Sequence, residues 1–193
     1  MGLQIVKDCS TIKYDATTLE LAQSMNFDHC VTCKTKIIIV GTITPPAGNG
    51  YFYTAPRNKI YGYIDAVRST KLKELKTSLT TATSSTSIIK SIKDELVTEK
   101  IAFLDVFKEV IRKKTSCYDK DIIYATLDDC TFASAFSLLS NNNVKVICNS
   151  QLANQYYNQI KDKLISPGKI TLPDSILLSQ RWGKKSEWQN ALR

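Results

Sequence analysis

The stretch Lys-Ile-Ile-Ile-Val-Gly-Thr-Ile-Thr-Pro-Pro, residues 36–46, decides the fold class that the sequence predicts. Its apolar run lies in the predicted strand Lys36–Val40 and is short and β-branched, which is typical of a strand buried on both faces of a sheet. The glycine and prolines that follow end the strand and begin a loop. Three more segments have this character and are predicted as strands: Ile101–Leu104, Val144–Cys148 and Lys169–Leu172.

Apolar residues recur at helical spacing before and between these strands. The predicted helices cover residues 16–25, 59–67, 87–97, 131–139 and 151–164. Strands that alternate with helices predict right-handed crossovers and a mainly parallel sheet. We therefore expect one α/β domain over residues 1–193, with three layers and a four-stranded, mainly parallel sheet flanked by helices. Residues 1–35 are expected to form an N-terminal helical extension of that domain, and the hydroxyl-rich stretch Thr77–Ser87 is predicted to be a surface loop.

The composition excludes several classes of protein. A hydrophobic content of 43 % with 23 % charged residues is ordinary for a globular protein. No apolar run approaches the ~20 residues of a membrane span, and no segment resembles a secretory signal, so we expect a soluble, cytoplasmic monomer without a membrane partner. The single histidine, His29, nearly excludes the Ser-His-Asp and Cys-His catalytic designs, which could be built only around it.

The net charge of +8 is distributed unevenly along the chain. Residues 59–120 carry +5 and residues 161–193 carry +4, whereas the segment between them, 121–160, carries −2. Two basic segments of this kind favour a polyanionic partner that is bound through its phosphates.

Ligands of open α/β sheets bind at the carboxyl ends of the strands, so the residues that follow each predicted strand are the candidates for chemistry. In chain order these segments contain GTITPP, YFY and PRN after the first strand, then Asp-Val and Ser-x-x-Asp-x-x-Ile, then Asn-x-x-x-Ala, then Leu-Pro. This ordered series, over about residues 36–190, resembles the uracil-DNA glycosylase superfamily, most closely its mismatch-specific and hypoxanthine-removing branches. The resemblance implies a uracil-DNA glycosylase-like fold. It also implies a hydrolase that flips a deaminated or mismatched base out of double-stranded DNA and cleaves its N-glycosidic bond.

The resemblance also implies which side chains bind the flipped base. A base taken out of the stack needs an aromatic face and a polar group that reads its edge. Tyr53 or Phe52 would supply the face, although a core position is an equal alternative for such a ring. Asn149 would pair with the base edge, or else cap the following helix. Asp105 would hydrogen-bond the base or fix the loop, and a helix cap is again the alternative.

The catalytic position departs from the pattern of the superfamily. Members usually carry Asp, Asn or Glu in the first loop, where this chain has Thr42, Ile43 and Thr44. The hypoxanthine-removing branch also lacks that acid and uses the Asn of its Pro-x-Asn block. Asn58 is therefore the candidate for orienting water, with Thr42 assisting, and a helix cap is the alternative for Asn58. A histidine that many members carry after the fourth strand is also missing, which lowers the electrostatic help for the departing base.

The DNA contacts implied by the resemblance lie in two loops and the tail. The tail also fits a basic amphipathic helix that packs Trp188 and Leu192 on the core, and Ile176 or Leu177 could fill the gap left by a flipped base. The candidate DNA-binding residues are Pro45, Pro46, Arg57, Pro173, Ser175, Arg181, Lys184 and Lys185.

The six cysteines raise the question of a metal. Cys30 and Cys33, in the order Cys-x-x-Cys, could join Cys117 and Cys130 in an iron–sulfur site, or join His29 and Cys9 around zinc. Ordinary buried thiols are the preferred interpretation, and we expect no cofactor.

Two other functions stay open at this point. The first is a superfamily fold that has weak or no catalysis and acts as a module binding a nucleobase or DNA, which the missing acid and histidine favour. The second is a different α/β protein in which Thr42, Thr44 and the loop after them hold a phosphate or a sugar. No Gly-x-x-x-x-Gly-Lys motif supports a standard nucleotide site.

Overall fold

The computed structural model describes residues 2–23, 29–44, 51–55, 58–81, 85–114, 118–139, 143–165, 170–179 and 184–193. The strands are β1 (Gln4–Ile5), β2 (Leu19–Gln23), β3 (Ile37–Gly41), β4 (Ile101–Asp105), β5 (Phe107–Lys113), β6 (Ile122–Leu127), β7 (Lys145–Cys148) and β8 (Ser175–Leu177). The helices are α1 (Ile60–Arg68), α2 (Leu72–Thr81), α3 (Thr86–Thr98), α4 (Asp129–Leu138), α5 (Gln151–Ile165) and α6 (Lys185–Ala191).

A four-stranded parallel sheet forms the middle layer. Its strand order is β4-β3-β7-β8, and β3, the strand that opens the predicted series, is buried at every position. Each neighbouring pair of strands is parallel, so all the strand ends that carry polar loops point the same way. Helices cover the sheet, and the predicted three-layer α/β class is confirmed.

Alternate residues of β3 are buried on opposite faces of this sheet. On one face Ile37 and Ile39 pack with α1, α2, α3 and α6, and Trp188 of α6 is fully buried there. On the other face Ile38 and Val40 pack with α4, α5 and strands of a second sheet. Alternation of this kind along one strand is the consequence of the two-residue period of β structure. The burial of Trp188 and Leu192 confirms the alternative of a tail helix that packs on the core.

A second sheet, of strand order β1-β6-β5-β2, was not predicted. The helix predicted over residues 16–25 is wrong, because β2 pairs with β5 in an antiparallel ladder from Leu19 opposite Lys113 to Gln23 opposite Glu109. That ladder satisfies the backbone hydrogen bonds of β2. The short apolar pattern of this segment fits a helix or a strand, and β5 comes close to it only in the folded chain. The described part of residues 1–35 therefore contains two strands and a 3-10 helix, Cys9–Thr11, in place of a helical extension.

The fourth predicted strand is also misplaced. The described residues of Lys169–Leu172 are not in a strand, and the position beside β7 is taken by β8, in which Ile176 pairs with Ile147. Leu172 is buried, so its apolar character reflects packing against the core from an irregular segment. Pro173 lies before β8 and Ser175 is its first residue, and neither follows the strand as predicted.

The predicted loop over Thr77–Ser87 is wrong at its edges. Helix α2 continues to Thr81 because Leu79 is buried in the core, and α3 already begins at Thr86. The other predicted helices are confirmed within two residues at each end as α1, α3, α4 and α5. No helix in the described part of the chain is long and apolar enough to cross a bilayer.

Candidate functional site

A polar cavity of about 230 Å³ opens at the carboxyl ends of the parallel strands. The segments after β3 and β7 contribute to its wall, and so do the last residue of β4 and the segment before β6 of the second sheet. Its lining residues are Gly41, Thr42, Ile43, Thr44, Tyr53, Asn58, Asp105, Asp119, Asn149 and Ser150. The cavity lies where an open α/β sheet is expected to bind a ligand.

The loop after β3 is held in place by main-chain hydrogen bonds. The N–H of Val106 donates to the carbonyl oxygen of Gly41 at 3.0 Å, and the N–H of Phe107 donates to the carbonyl oxygen of Thr42 at 2.9 Å. These bonds continue the pairing of β3 with β4 beyond the strand ends. The buried Thr42 side chain is therefore fixed at the edge of the cavity.

Thr42 is hydrogen-bonded to Asp119, an acid that was not among the predicted site residues. Its hydroxyl donates to Oδ1 of Asp119 at 2.7 Å. Asp119 begins the 3-10 helix Asp119–Asp121, directly before β6. Burial raises the pKa of Asp119, while the bond from Thr42 and the charge of Arg112 act against that rise.

Asp119 supplies a carboxyl to the first loop from a different part of the chain. Asp119 is the acid of the Ser-x-x-Asp-x-x-Ile block, and this block is the sequence signal that could have identified Asp119 as a site residue. What placed it in the cavity is the second sheet, whose strand β6 carries the preceding 3-10 helix to the end of β3.

Asp105 lies at the end of β4, opposite Gly41 in the pairing of β3 with β4. Its side chain is 5 % exposed, and its Oδ2 accepts a hydrogen bond from the hydroxyl of Thr44 at 2.9 Å. Burial raises the pKa of Asp105 to about 7 against the bonds from Thr44, and the charge of Asp119 adds to the rise. Near neutral pH this buried carboxyl therefore exists in both its protonated and its ionised form.

The two aromatic candidates have different positions. Phe52 is 1 % exposed, packs against Phe103 and His29, and does not line the cavity. This corrects the stacking role predicted for Phe52, because a ring enclosed in the core has no face to offer a base. Tyr53 is half-buried and lines the cavity, with its ring edge-on to that of Phe103 at 4.8 Å between centroids.

The two asparagines both line the cavity. The side-chain oxygen of Asn58 accepts the N–H of Ile60 at 3.0 Å, which is the helix-cap alternative, and Lys76 donates to the main-chain oxygen of Asn58 at 2.6 Å. For Asn149 the cap alternative does not apply, since the hydroxyl of Ser150 accepts the N–H of Ala153 at the start of α5. The main-chain N–H of Asn149 donates to the oxygen of Val40 at 3.0 Å, which ties this residue to the end of β3.

The candidate DNA-binding residues are only partly described by the structure. Pro45, Pro46, Arg57 and Arg181 lie outside the described residues. The oxygen of Pro173 accepts the hydroxyl of Tyr157, and Ser175 donates to Asn154, so both are tied to α5 on the amino-terminal side of β8. Lys184 and Lys185 are exposed at the beginning of α6.

The cysteine pair does not form a metal cluster with other side chains in the described part of the chain. Cys30 is buried with its Sγ 3.1 Å from the hydroxyl of Tyr51, whereas Cys33 is exposed. Among the described residues no group of three or more His, Cys, Asp or Glu is placed to hold a metal ion. Cys117, the third cysteine of the iron–sulfur alternative, lies outside those residues.

No family model matches the sequence, and no curated protein matches it. A solved structure is similar to this chain: the solution NMR structure of a protein from Methanosarcina acetivorans that is assigned, provisionally, as a uracil DNA glycosylase. The TM-score is 0.55 and the identity is 19 %, over 85 % of this chain and 92 % of that one. The two chains share a fold. The expected three-layer α/β architecture is therefore confirmed as the fold of that protein too, while membership of the superfamily and the branch within it stay predictions.

The absence of a side chain at Gly41 keeps the floor of the cavity open. A Cβ there would stand 2.5 Å from Oδ1 of Asp105 and 2.7 Å from the hydroxyl of Tyr53. We expect Gly41→Ala to displace both oxygens and to lower the free energy of unfolding by about 1–3 kcal/mol, the usual cost of overpacking. Urea denaturation measures this change. Gly62→Ala in α1 is the control, because the nearest atom to a Cβ there, Cδ of Lys73, is at 3.8 Å. An equal decrease in stability for the two variants would contradict the close packing of Asp105 and Tyr53 around Gly41.

Proposed function

We propose that this protein is a DNA glycosylase-like hydrolase that takes a deaminated or mismatched base out of double-stranded DNA and cleaves its N-glycosidic bond. The observation that carries the proposal is the pairing of Thr42 with Asp119 in a polar cavity at the strand ends. It supplies the acid that the first loop lacks. Similarity in fold to the protein assigned as a uracil DNA glycosylase supports the same class of reaction.

Cleavage of the N-glycosidic bond needs a group that stabilises positive charge on the sugar. When the bond between C1′ and the base nitrogen breaks, its electron pair leaves with the base and the deoxyribose becomes cationic. An ionised Asp119 would stabilise that cation or accept the proton of the attacking water. The bond from Thr42 fixes one carboxylate oxygen, so Thr42 acts here as a positioning residue for Asp119.

Asn58 keeps a smaller role in this proposal. Because its side-chain oxygen already accepts the N–H of Ile60, it would orient water through its remaining lone pair or its amide N–H groups. Asn149 would read the edge of the base, and Tyr53, which lines the cavity, would contact the base. Cleavage in this scheme uses no cofactor.

The DNA would lie across the strand ends and the start of α6. Lys184 and Lys185 are exposed there, and Ile176 and Leu177 on the edge strand β8 are 43 % and 41 % exposed. Leu177 pairs with Cys148, the residue before Asn149, so it lies beside the cavity. An exposed apolar pair at that place fits a wedge that fills the gap left by a flipped base.

Charge reversal of the two lysines tests this surface. We expect Lys184→Glu with Lys185→Glu to weaken duplex binding and to reduce the slope of log affinity against log salt by about 2, close to one for each phosphate that is no longer neutralised. Fluorescence anisotropy at several salt concentrations measures both quantities. The matched control is Lys7→Glu with Lys13→Glu in the N-terminal segment, and equal weakening by the two double variants would show that only net charge matters.

A cleavage assay tests the function itself. Duplexes that carry uracil, hypoxanthine or a mismatched base are incubated with excess protein, and abasic sites are revealed by alkaline strand scission. We expect scission at the position of at least one of these bases. The complete absence of abasic product, together with salt-sensitive DNA binding, would select the non-catalytic binding module instead. The bond from Ile60 to the side chain of Asn58, the residue predicted to orient water, is the observation that favours that second function.

A further inference from the structure

Two oxygen atoms of cavity-lining residues lie close to Gly41. Oδ1 of Asp105 and the hydroxyl of Tyr53 lie 2.5 Å and 2.7 Å from the point that a Cβ of Gly41 would occupy. The Tyr53 hydroxyl is buried and has no hydrogen-bond partner among the described residues. A buried hydroxyl without a partner is rare in native proteins and calls for an explanation, such as a ligand that completes the bond.

Both groups are able to donate a proton to such a ligand. Burial holds the pKa of Tyr53 well above its ordinary value, so the phenol keeps its proton. The Thr44 hydroxyl donates to Oδ2 of Asp105, and Oδ1 lies on the side of Gly41 and Tyr53. Near neutral pH the Asp105 carboxyl is partly protonated, since burial raises its pKa to about 7.

A pair of neutral donors suits the negative charge that develops on a departing base. In uracil, thymine and hypoxanthine the electron pair of the broken bond spreads from the ring nitrogen onto carbonyl oxygens. Donors that are already oriented towards such an oxygen stabilise the transition state more than the ground state. A tyrosine beside a protonated aspartic acid forms an oxyanion site of this kind in an unrelated isomerase.

The single histidine of the chain does not take this role. His29 packs against Phe52 at 5.4 Å between ring centroids and is absent from the cavity lining. Among the described residues, Tyr53 and Asp105 line the cavity and can supply donors for the leaving group.

We propose that the Tyr53 hydroxyl and the Asp105 carboxyl donate hydrogen bonds to a carbonyl oxygen of the departing base, and that the substrates are bases whose anion carries its charge on such an oxygen. This inference rests on the proposed function. The C1′–N bond breaks with its electron pair on the base, the oxygen of water bonds to C1′, and the proton of that water passes to Asp119. The base anion takes up a proton as it is released, which balances the reaction. Adenine, which has no carbonyl oxygen, is expected to be a poor substrate.

Tyr53→Phe removes only the hydroxyl and provides the test. We expect it to lower the single-turnover rate of uracil release by about 10²-fold, the usual effect of removing one such donor. With 5-fluorouracil, which forms a more stable anion, the same variant is expected to be slowed much less. Tyr51→Phe is the matched control, because its hydroxyl contacts Cys30 outside the cavity. An equal decrease on both substrates, or no decrease on either, would overturn the inference.

A binding measurement separates this inference from the proposed function. Free uracil is titrated into the wild-type protein and the Tyr53→Phe variant and followed by NMR chemical shifts. We expect the variant to bind uracil about threefold to tenfold more weakly, the value of one hydrogen bond. If no duplex is cleaved but this difference is found, the proposed function fails and the carbonyl-binding role of Tyr53 stands. Equal affinity of the two proteins, or no binding of uracil by either, overturns that role whatever the cleavage assay shows.

Discussion

Replacement of Asp119 by asparagine is expected to lower the single-turnover rate of base release by about 10²–10³-fold, because it removes the negative charge that opposes the cationic sugar. Asparagine keeps the size of the side chain and an oxygen that can accept the hydroxyl of Thr42, so the local fold is retained. Quenched-flow measurement with excess protein over a uracil-containing duplex gives the rate of the chemical step directly.

Two further variants sharpen this expectation. Thr42→Val removes the hydroxyl that fixes Asp119 and is expected to cost less than Asp119→Asn, whereas Thr42→Ser keeps the hydroxyl and restores most of the rate. Asp121→Asn, in the same 3-10 helix but outside the cavity lining, is the control for a general effect of charge. A rate for Asp119→Asn that equals that of the control would remove Asp119 from the mechanism.

Replacement of Asp105 by asparagine is expected to stabilise the protein at pH 8 and to have little effect at pH 4. The pKa of Asp105 rises from 3.8 to about 7 on folding, so the folded state holds a proton that the unfolded state has released between these pH values. Stability is therefore highest below pH 4, falls as the pH rises towards 7, and is constant above it. The shift corresponds to about 4 kcal/mol at pH 8.

Urea unfolding at pH values from 4 to 8 measures this dependence. Asparagine is neutral throughout, and its side-chain oxygen can accept the bond from Thr44, so most of the decline is expected to disappear in the variant. Some decline remains, because burial also raises the pKa of Asp119. Asp94→Asn on the exposed surface of α3 is the control. Parallel stability curves for the wild-type protein and Asp105→Asn would show that this carboxyl is not held protonated by burial.

The sequence predicts the part of the fold that local pattern determines. Ile37–Val40 is β-branched and apolar without interruption, and such a run has one stable place, the middle of a covered sheet. The second sheet could not be predicted in this way, because β2 and β5 depend on a partner some ninety residues away. The fourth strand is misplaced because the apolar Leu172 packs on the core from outside the sheet, and the local pattern does not distinguish this from a strand.

The candidate site divides in a similar way. Thr42, Asp105 and Asn149 lie at the carboxyl ends of buried strands, so the topology of a parallel sheet is enough to bring them together. Asp119 follows no predicted strand and reaches the cavity only through the second sheet, which explains why sequence reasoning did not assign it to the site. The burial of Phe52 could not be predicted, because a sequence does not show which of three neighbouring aromatic rings faces the core.

Release of a free base from a defined duplex tests the central claim most directly. Duplexes with one uracil or one hypoxanthine are incubated with excess wild-type protein or Asp119→Asn, and the supernatant is analysed by mass spectrometry while the strand is analysed for an abasic site. We predict that the wild-type protein releases one of these bases, leaves one abasic site for each base released, and is slowed by at least about 10²-fold in the variant. Intact duplex with no free base, over the full set of deaminated and mismatched bases, would contradict the claim that this cavity cleaves an N-glycosidic bond.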